Sequence, residues 1–245
     1  MKKIVTLLLF SIIVGTNFAK AQNWASGIDD DKFNWGYSFQ YISAEYKISK
    51  TPTWRAPAFD AAGVPITSDL TSISSKLTPG FAIGFVGNRK ITNHLDVRLT
   101  PSLVFSDRKI TYTYSPFLDG EIIEKKITAT MVDLPLGLKL KSDRLMNFRA
   151  YMLGGLKYSI NMTSAKKQNN AEVLDERLKY INHQKSFLSY EAGAGMDFYF
   201  GFFKMSTELK VSQSFKNIIL QENTMFSSPI EKAKLRHFTF SLFFE

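Results

Sequence analysis

Residues 187–215, FLSYEAGAGMDFYFGFFKMSTELKVSQSF, alternate apolar and polar side chains with a period of two. Leu188, Tyr190, Met196, Phe198 and Phe200 hold the even positions, and Glu191, Gly193, Gly195, Asp197 and Tyr199 stand between them. Past Gly201-Phe202 the parity inverts. Phe203, Met205, Leu209, Val211 and Phe215 are now the apolar set, with Lys204, Ser206, Glu208, Lys210 and Ser212 as their neighbours. Alternation of this kind marks a strand with two chemically different faces, and inversion across a tight turn marks a hairpin. One face is bulky and greasy, the other small and charged. Each arm exceeds the about 9–11 residues with which a tilted strand crosses a bilayer.

The pattern recurs along the chain. A first strand from Asn34 sets Trp35, Tyr37, Phe39 and Tyr41 against Gly36, Ser38 and Gln40. A second sets Phe81, Ile83 and Phe85 against Gly80, Ala82 and Gly84, with a turn expected at Gly87-Asn88. A third carries Leu95, Val97, Leu99, Leu103 and Phe105 opposite Asp96, Arg98, Thr100 and Ser102. Ile110, Tyr112 and Tyr114 also alternate, so strands are expected to project beyond the membrane there. A fourth places Val132, Leu134, Leu136, Leu138 and Leu140 on one face and Asp133, Pro135, Gly137, Lys139 and Lys141 on the other. Pro135 has no N–H to give to a ladder, so a local bulge is expected around it. A fifth sets Phe148, Met152, Leu156, Tyr158, Ile160 and Met162 opposite Arg149, Tyr151, Gly155 and Lys157, and the last carries Phe238, Phe240, Leu242 and Phe244.

The expected connections are long at 48–77, 106–128, 163–186 and 216–234, and short near 88–93, 142–147 and 201–202. Long and short connections that alternate in this way are the asymmetry of bacterial outer-membrane barrels, whose periplasmic turns are short. The fold class read from the sequence is therefore all-β, an eight-stranded antiparallel transmembrane outer-membrane β-barrel with both termini in the periplasm.

A soluble lipocalin-like barrel, with the same strands and the greasy face inside, is the rival. Capacity decides between them. The bulky apolar residues of the eight strands number about three dozen, whereas the interior of so small a barrel holds about a dozen side chains. They must face outward, and an outward aromatic band of that size needs lipid. The inward set then contains Asp96, Arg98, Asp133, Lys139, Arg149, Lys157, Glu191, Asp197, Glu208 and Lys210. Five acids and five bases in a narrow lumen can neutralise one another, and the expected role of this ion network is structural, with a gate or proton-sensitive switch as the sharper alternative. Eight strands leave no room for a conducting pore.

Residues 1–21 are expected to be a signal peptide: Lys2-Lys3, the apolar run Ile4–Val14, and a cleavage site at Ala19-Lys20-Ala21 before Gln22. Residues 22–33 read as a periplasmic tail, and 34–245 as the barrel. The Asp29-Asp30-Asp31 run lacks the spacing of a Ca²⁺ loop. Without Lys2, Lys3 and Lys20 the 31 basic residues fall to 28 against 22 acidic ones, a net of about +6. That charge forms no stripe or basic helix, so it points to an anionic membrane surface and to no nucleic acid. The chain has no cysteine, hence no disulfide and no lipid-anchor thiol.

Chemistry-bearing motifs are sparse. The histidines are His94 in a short turn, His183 in a long loop and His237 at the outer end of the last strand. His237 beside Ser and Asp residues would suit an outer-membrane hydrolase, against the simpler reading of a surface histidine. Gly193-Ala194-Gly195 lies within a strand with no helix after it, so it is no nucleotide loop; its glycines make room for inward charges. Asn161-Met162-Thr163 is a formal sequon without weight in a bacterial barrel. No catalytic, metal-ligating or cofactor-binding set emerges, and no small-molecule substrate is implied. Leu174, Leu178 and Ile181 within residues 171–184 share one face of an expected short helix, which would pack on the rim or dock a partner.

Five stretches carry a resemblance. Pro79-Gly80-Phe81-Ala82-Ile83-Gly84, Leu95–Phe105 with Arg98 and Pro101, Val132–Leu140 running into Ser142-Asp143-Arg144, Gly155–Tyr158, and Tyr190–Asn217 together resemble the PorT (SprT) family of Bacteroidetes outer-membrane proteins. The resemblance implies a non-enzymatic component of the type IX secretion system. Such a protein is required for export of proteins with C-terminal secretion signals, and for gliding motility in gliding species. It also implies partners: the large translocon barrel and periplasmic or lipoprotein subunits. The alternative is a free-standing small barrel acting as an adhesin or membrane-stabilising protein.

Overall fold

The structure is a computed structural model and describes residues 31–59, 63–115, 122–162, 170, 173 and 175–245. The expected leader, Asp29 and Asp30, Pro116 to Gly120, Thr163 and Leu174 lie outside the described residues.

Among the described residues, ten antiparallel strands form one sheet. They are β1 (Phe33–Lys50), β2 (Leu70–Ser74), β3 (Thr78–Lys90), β4 (Leu95–Leu99), β5 (Ser102–Tyr114), β6 (Ile122–Lys141), β7 (Phe148–Asn161), β8 (Ser186–Tyr199), β9 (Lys204–Ser214) and β10 (Ile230–Phe244). β1 pairs with β10 along one edge, from Tyr37↔Phe244 to Lys50↔Ile230, and with β3 along the other, from Phe33↔Arg89 to Ala44↔Thr78. The ladders thus run in a ring that returns to β1, which leaves the long hydrophobic strands without an open edge.

Ten strands replace the eight expected, for two reasons. Pro101 divides the third expected strand into β4 and β5, which lie end to end between β3 and β6. β2 lies within the first long connection and covers the edge of β5 from Thr111 to Tyr114, beyond the end of β3. In the gap between, Ser75 Oγ donates to Lys109 O at 2.8 Å and accepts from Tyr46 N at 3.0 Å, stitching β1 to β5.

No bulge forms at Pro135. Leu99↔Leu136 and Ser102↔Asp133 keep one register across the break, and so do Pro135↔Lys157 and its neighbours on β7. Thr100 N still donates to Pro135 O at 3.1 Å, and Phe85 N to Pro101 O at 2.9 Å. Each proline forfeits one ladder bond, Pro101 toward Phe85 on β3 and Pro135 toward Thr100 at the β4/β5 junction. The turn expected at Gly87-Asn88 is also absent: β3 continues to Lys90, and Asn88 points into the lumen.

The faces sort as the alternation requires. Phe39, Phe85, Leu136, Leu156, Leu209 and Phe240 point out and are exposed, while Ser38, Ala82, Arg98, Asp133, Lys139, Glu191, Glu208 and Ser241 are buried inside. Toward the long-loop end the lining changes to apolar. Ile42, Tyr46, Ile110, Tyr112, Tyr114 and Met131 turn inward and meet Ile181, Ile218, Ile219 and Phe226 from the loops. Tyr112 donates to Phe226 O at 2.7 Å, and their rings cross at 5.2 Å. Among the described residues of the expected helix stands one 3₁₀ turn, Glu176–Leu178, N-capped by Asp175. Leu178 is exposed and Ile181 buried, so the two share no face.

Candidate functional site: the charged lumen

Below the apolar plug the lumen is a stack of ion pairs. Nearest the short turns, Lys141 Nζ meets Asp96 at 2.7 Å. One level up, Lys139 Nζ is held by both Asp197 oxygens, at 2.7 and 2.8 Å, with Ser206 Oγ donating to the same carboxylate at 2.6 Å. Arg98 crosses the lumen. Its Nη1 reaches Glu208 at 2.8 Å, its Nε donates to Asn88 Oδ1 at 2.7 Å, and its Nη2 lies 3.5 Å from Glu245. Tyr151 donates to Glu208 at 3.0 Å and offers its ring to Lys139 at 3.8 Å. Phe243, on the inward parity of β10, stacks under the Arg98 guanidinium at 4.6 Å. Higher still, Lys210 pairs with Glu191 at 3.4 Å, and Lys157 with Asp133 at 3.1 Å.

Of the ten residues expected inside, nine are buried in the lumen; Arg149 is half-buried at the short-turn rim, 5.9 Å from the Tyr199 ring. The ten do not balance among themselves alone. Lys141, Lys204 and the terminal Glu245 join the pairing, with Lys204 and Glu245 in contact. Parity reveals all three: each occupies the same alternate position as the charged residues already assigned inward.

The wall is built to admit these groups. Gly195 is the register partner of Tyr151, and a Cβ there would lie 2.5 Å from the tyrosine ring. The small residue is what lets the phenol lie flat between Arg98, Glu208 and Lys139. Buried charges repay their desolvation only with close partners and further hydrogen bonds, and this arrangement supplies both.

His237 is not at a strand end on the surface. It lies within β10, facing the lumen and buried, with Nδ1 3.2 Å from Lys157 Nζ. A base that orients a nucleophile needs an acid or carbonyl behind it; here the neighbour is a cation. His183 is buried in the plug, where it hydrogen-bonds Tyr46 OH at 2.8 Å and stacks on the same ring. Burial, then the nearby Arg108 charge, lowers its pKa from the usual value to about 3. His94 is exposed, 3.9 Å from Asp143. Among the described residues no three His, Cys, Asp or Glu side chains gather as metal ligands.

A greasy outer wall around a charged interior, with the long strands paired in a ring, is the arrangement of a protein solvated by hydrocarbon. Residues 7–220 match the outer membrane protein beta-barrel domain family. The chain belongs to that family. It is accordingly a bacterial outer-membrane protein, embedded in lipid through its strands. Among solved structures, the outer membrane protein OprG from Pseudomonas aeruginosa is similar, with 11% identity, a TM-score of 0.44, and coverage of 85% of this chain and 94% of that one. Ail, the attachment invasion locus protein of Yersinia pestis, is similar with 11% identity, a TM-score of 0.34, and coverage of 87% and 98%. No curated protein matches the sequence.

Proposed function

We propose that this barrel is a non-enzymatic membrane anchor of a protein-export machine, the type IX secretion system that the resemblance to the PorT family implies. The observation that carries the reading is the filled lumen. Arg98, Glu208, Lys139 and Asp197 lock across its lower half and the Phe226 plug fills its mouth, so the useful surfaces are the rims and the lipid-facing wall. A barrel filled in this way works by holding other components. The partners of that reading are the large translocon barrel and periplasmic or lipoprotein subunits, with the short turns facing the periplasm and the long loops facing outward. The ten-residue ion network serves as internal bracing, with Arg149 at its edge.

Deletion of the gene tests the proposal. Loss of export across many unrelated proteins with C-terminal secretion signals supports it. Normal export with loss of surface adhesion or envelope integrity refutes it in favour of the free-standing barrel.

A further inference from the structure

Arg108 breaks the rule that the other buried lumen charges obey. It is 1% exposed, yet its Nε and Nη1 have no hydrogen-bond partner. Its Nη2 is 2.8 Å from the Met131 sulfur, a weak acceptor, and Tyr46, whose ring lies 6.0 Å from the guanidinium carbon, offers it a neutral hydroxyl oxygen and no charge. Among the described residues no carboxylate pairs with it. The groups that face it are Tyr46 on β1, Met131 on β6, His183 above, and His237 on β10 with Lys157 behind it; none is an acid. Asp133, the acid at this level, meets Lys157 through Oδ2 at 3.1 Å, and its buried Oδ1 reaches none of these donors.

His237 adds a third orphan of the same polarity. Lys157 has only protons to give, so His237 Nδ1 must accept, and the ring proton sits on Nε2. That Nε2–H is buried and without a partner. Three donors with no acceptor, beside one uncompensated positive charge, describe half of a site. Water would supply the acceptor but not the charge.

We propose that the lumen of this barrel holds a small monovalent anion of the halide class, bound by Arg108 and His237 beneath the apolar plug. The anion enters as the chain folds, since the plug and the ion-pair stack close both ends. It is a structural ion and stands independently of the secretion role.

The full mature chain, folded from urea into detergent in sodium chloride or in sodium gluconate at equal ionic strength, tests this. Chloride should raise the unfolding temperature of the wild type by a saturating shift of about 2–4 °C. Arg108→Gln should abolish that shift while unfolding in gluconate no earlier than the wild type. Should Arg108→Gln fail to fold, His237→Phe serves: removing one donor should raise the chloride concentration at half-effect by about fivefold or more. Equal wild-type stability in the two salts overturns the proposal. So does a response that never saturates, or one that Arg108→Gln or His237→Phe retains unchanged, since these are the marks of general screening.

Discussion

Gly195 and Tyr151 show how single residues set the interior. A Cβ at position 195 would lie 2.5 Å from the Tyr151 hydroxyl and ring, and it would also press on the backbone of β9. Gly195→Ala should therefore push Tyr151 off Glu208 and destabilise the barrel by about 1–3 kcal/mol, read from urea unfolding of the refolded protein. His183 carries the pH dependence of the plug. Its pKa in the fold is about 3 because burial, foremost, and then Arg108 disfavour the charged ring. A lowered histidine pKa means that the fold holds the neutral form, so the stability it confers is complete above about 6.5. As pH falls below that value the unlocked state takes up a proton and the plugged state does not, at a cost of about 1.4 kcal/mol per pH unit until about pH 3. Amide exchange at Ile218 and Ile219 should accelerate between pH 7 and pH 5, and His183→Phe should remove most of that acceleration. Exchange rates corrected for intrinsic pH effects that stay level in the wild type would contradict the assignment.

At the scale of the strand, the period of two carried most of the information. It assigned Leu134, Leu136, Leu138 and Leu140 outward and Asp133 and Lys139 inward, as the structure has them. The same parity, applied without exception, puts His237, Arg108 and Glu245 in the lumen; a strand-end place for His237 conflicts with Phe238, Phe240, Leu242 and Phe244, which all point the other way. What parity cannot report is where strands break or loops fold. Pro101 and Pro135 are compatible with a straight register because each still accepts a ladder bond through its carbonyl oxygen, from Phe85 N and Thr100 N, a fact of pairing that neither local sequence contains. The spacing of Leu178 and Ile181 predicts one helical face, but Ile181 is drawn into the barrel mouth by the plug and Leu178 is not. Leu136→Arg should cost about 2–4 kcal/mol and impair assembly, because its side chain stands in the lipid-facing band. Gly137→Ser should be much milder: the added atom would meet a flexible Leu153 side chain at 3.3 Å, inside the lumen. Folding yield into detergent or vesicles compares the two.

The whole molecule is a tube with opposite chemistries at its two ends inside one continuous wall. Its lower lumen trades charge across the diameter, as Arg98 on β4 does with Glu208 on β9. Its mouth is packed like the core of a soluble protein. Truncating one partner of a buried pair leaves the other uncompensated, so Glu208→Ala should destabilise by about 3–5 kcal/mol, whereas the double change Arg98→Met with Glu208→Leu should recover much of that loss. Urea titration of the three proteins measures it. The central claim, that hydrocarbon solvates the bulky face and the protein encloses the charged one, is open to a direct scan. The chain has no cysteine, so single cysteines can be placed from 133 to 140 and spin-labelled in the barrel reconstituted into vesicles. Labels at 134, 136, 138 and 140 should be accessible to the lipid-soluble relaxant oxygen and shielded from a water-soluble nickel complex, and those at 133, 137 and 139 shielded from both. Loss of the two-residue alternation, or nickel accessibility at 136 and 138, would contradict the account.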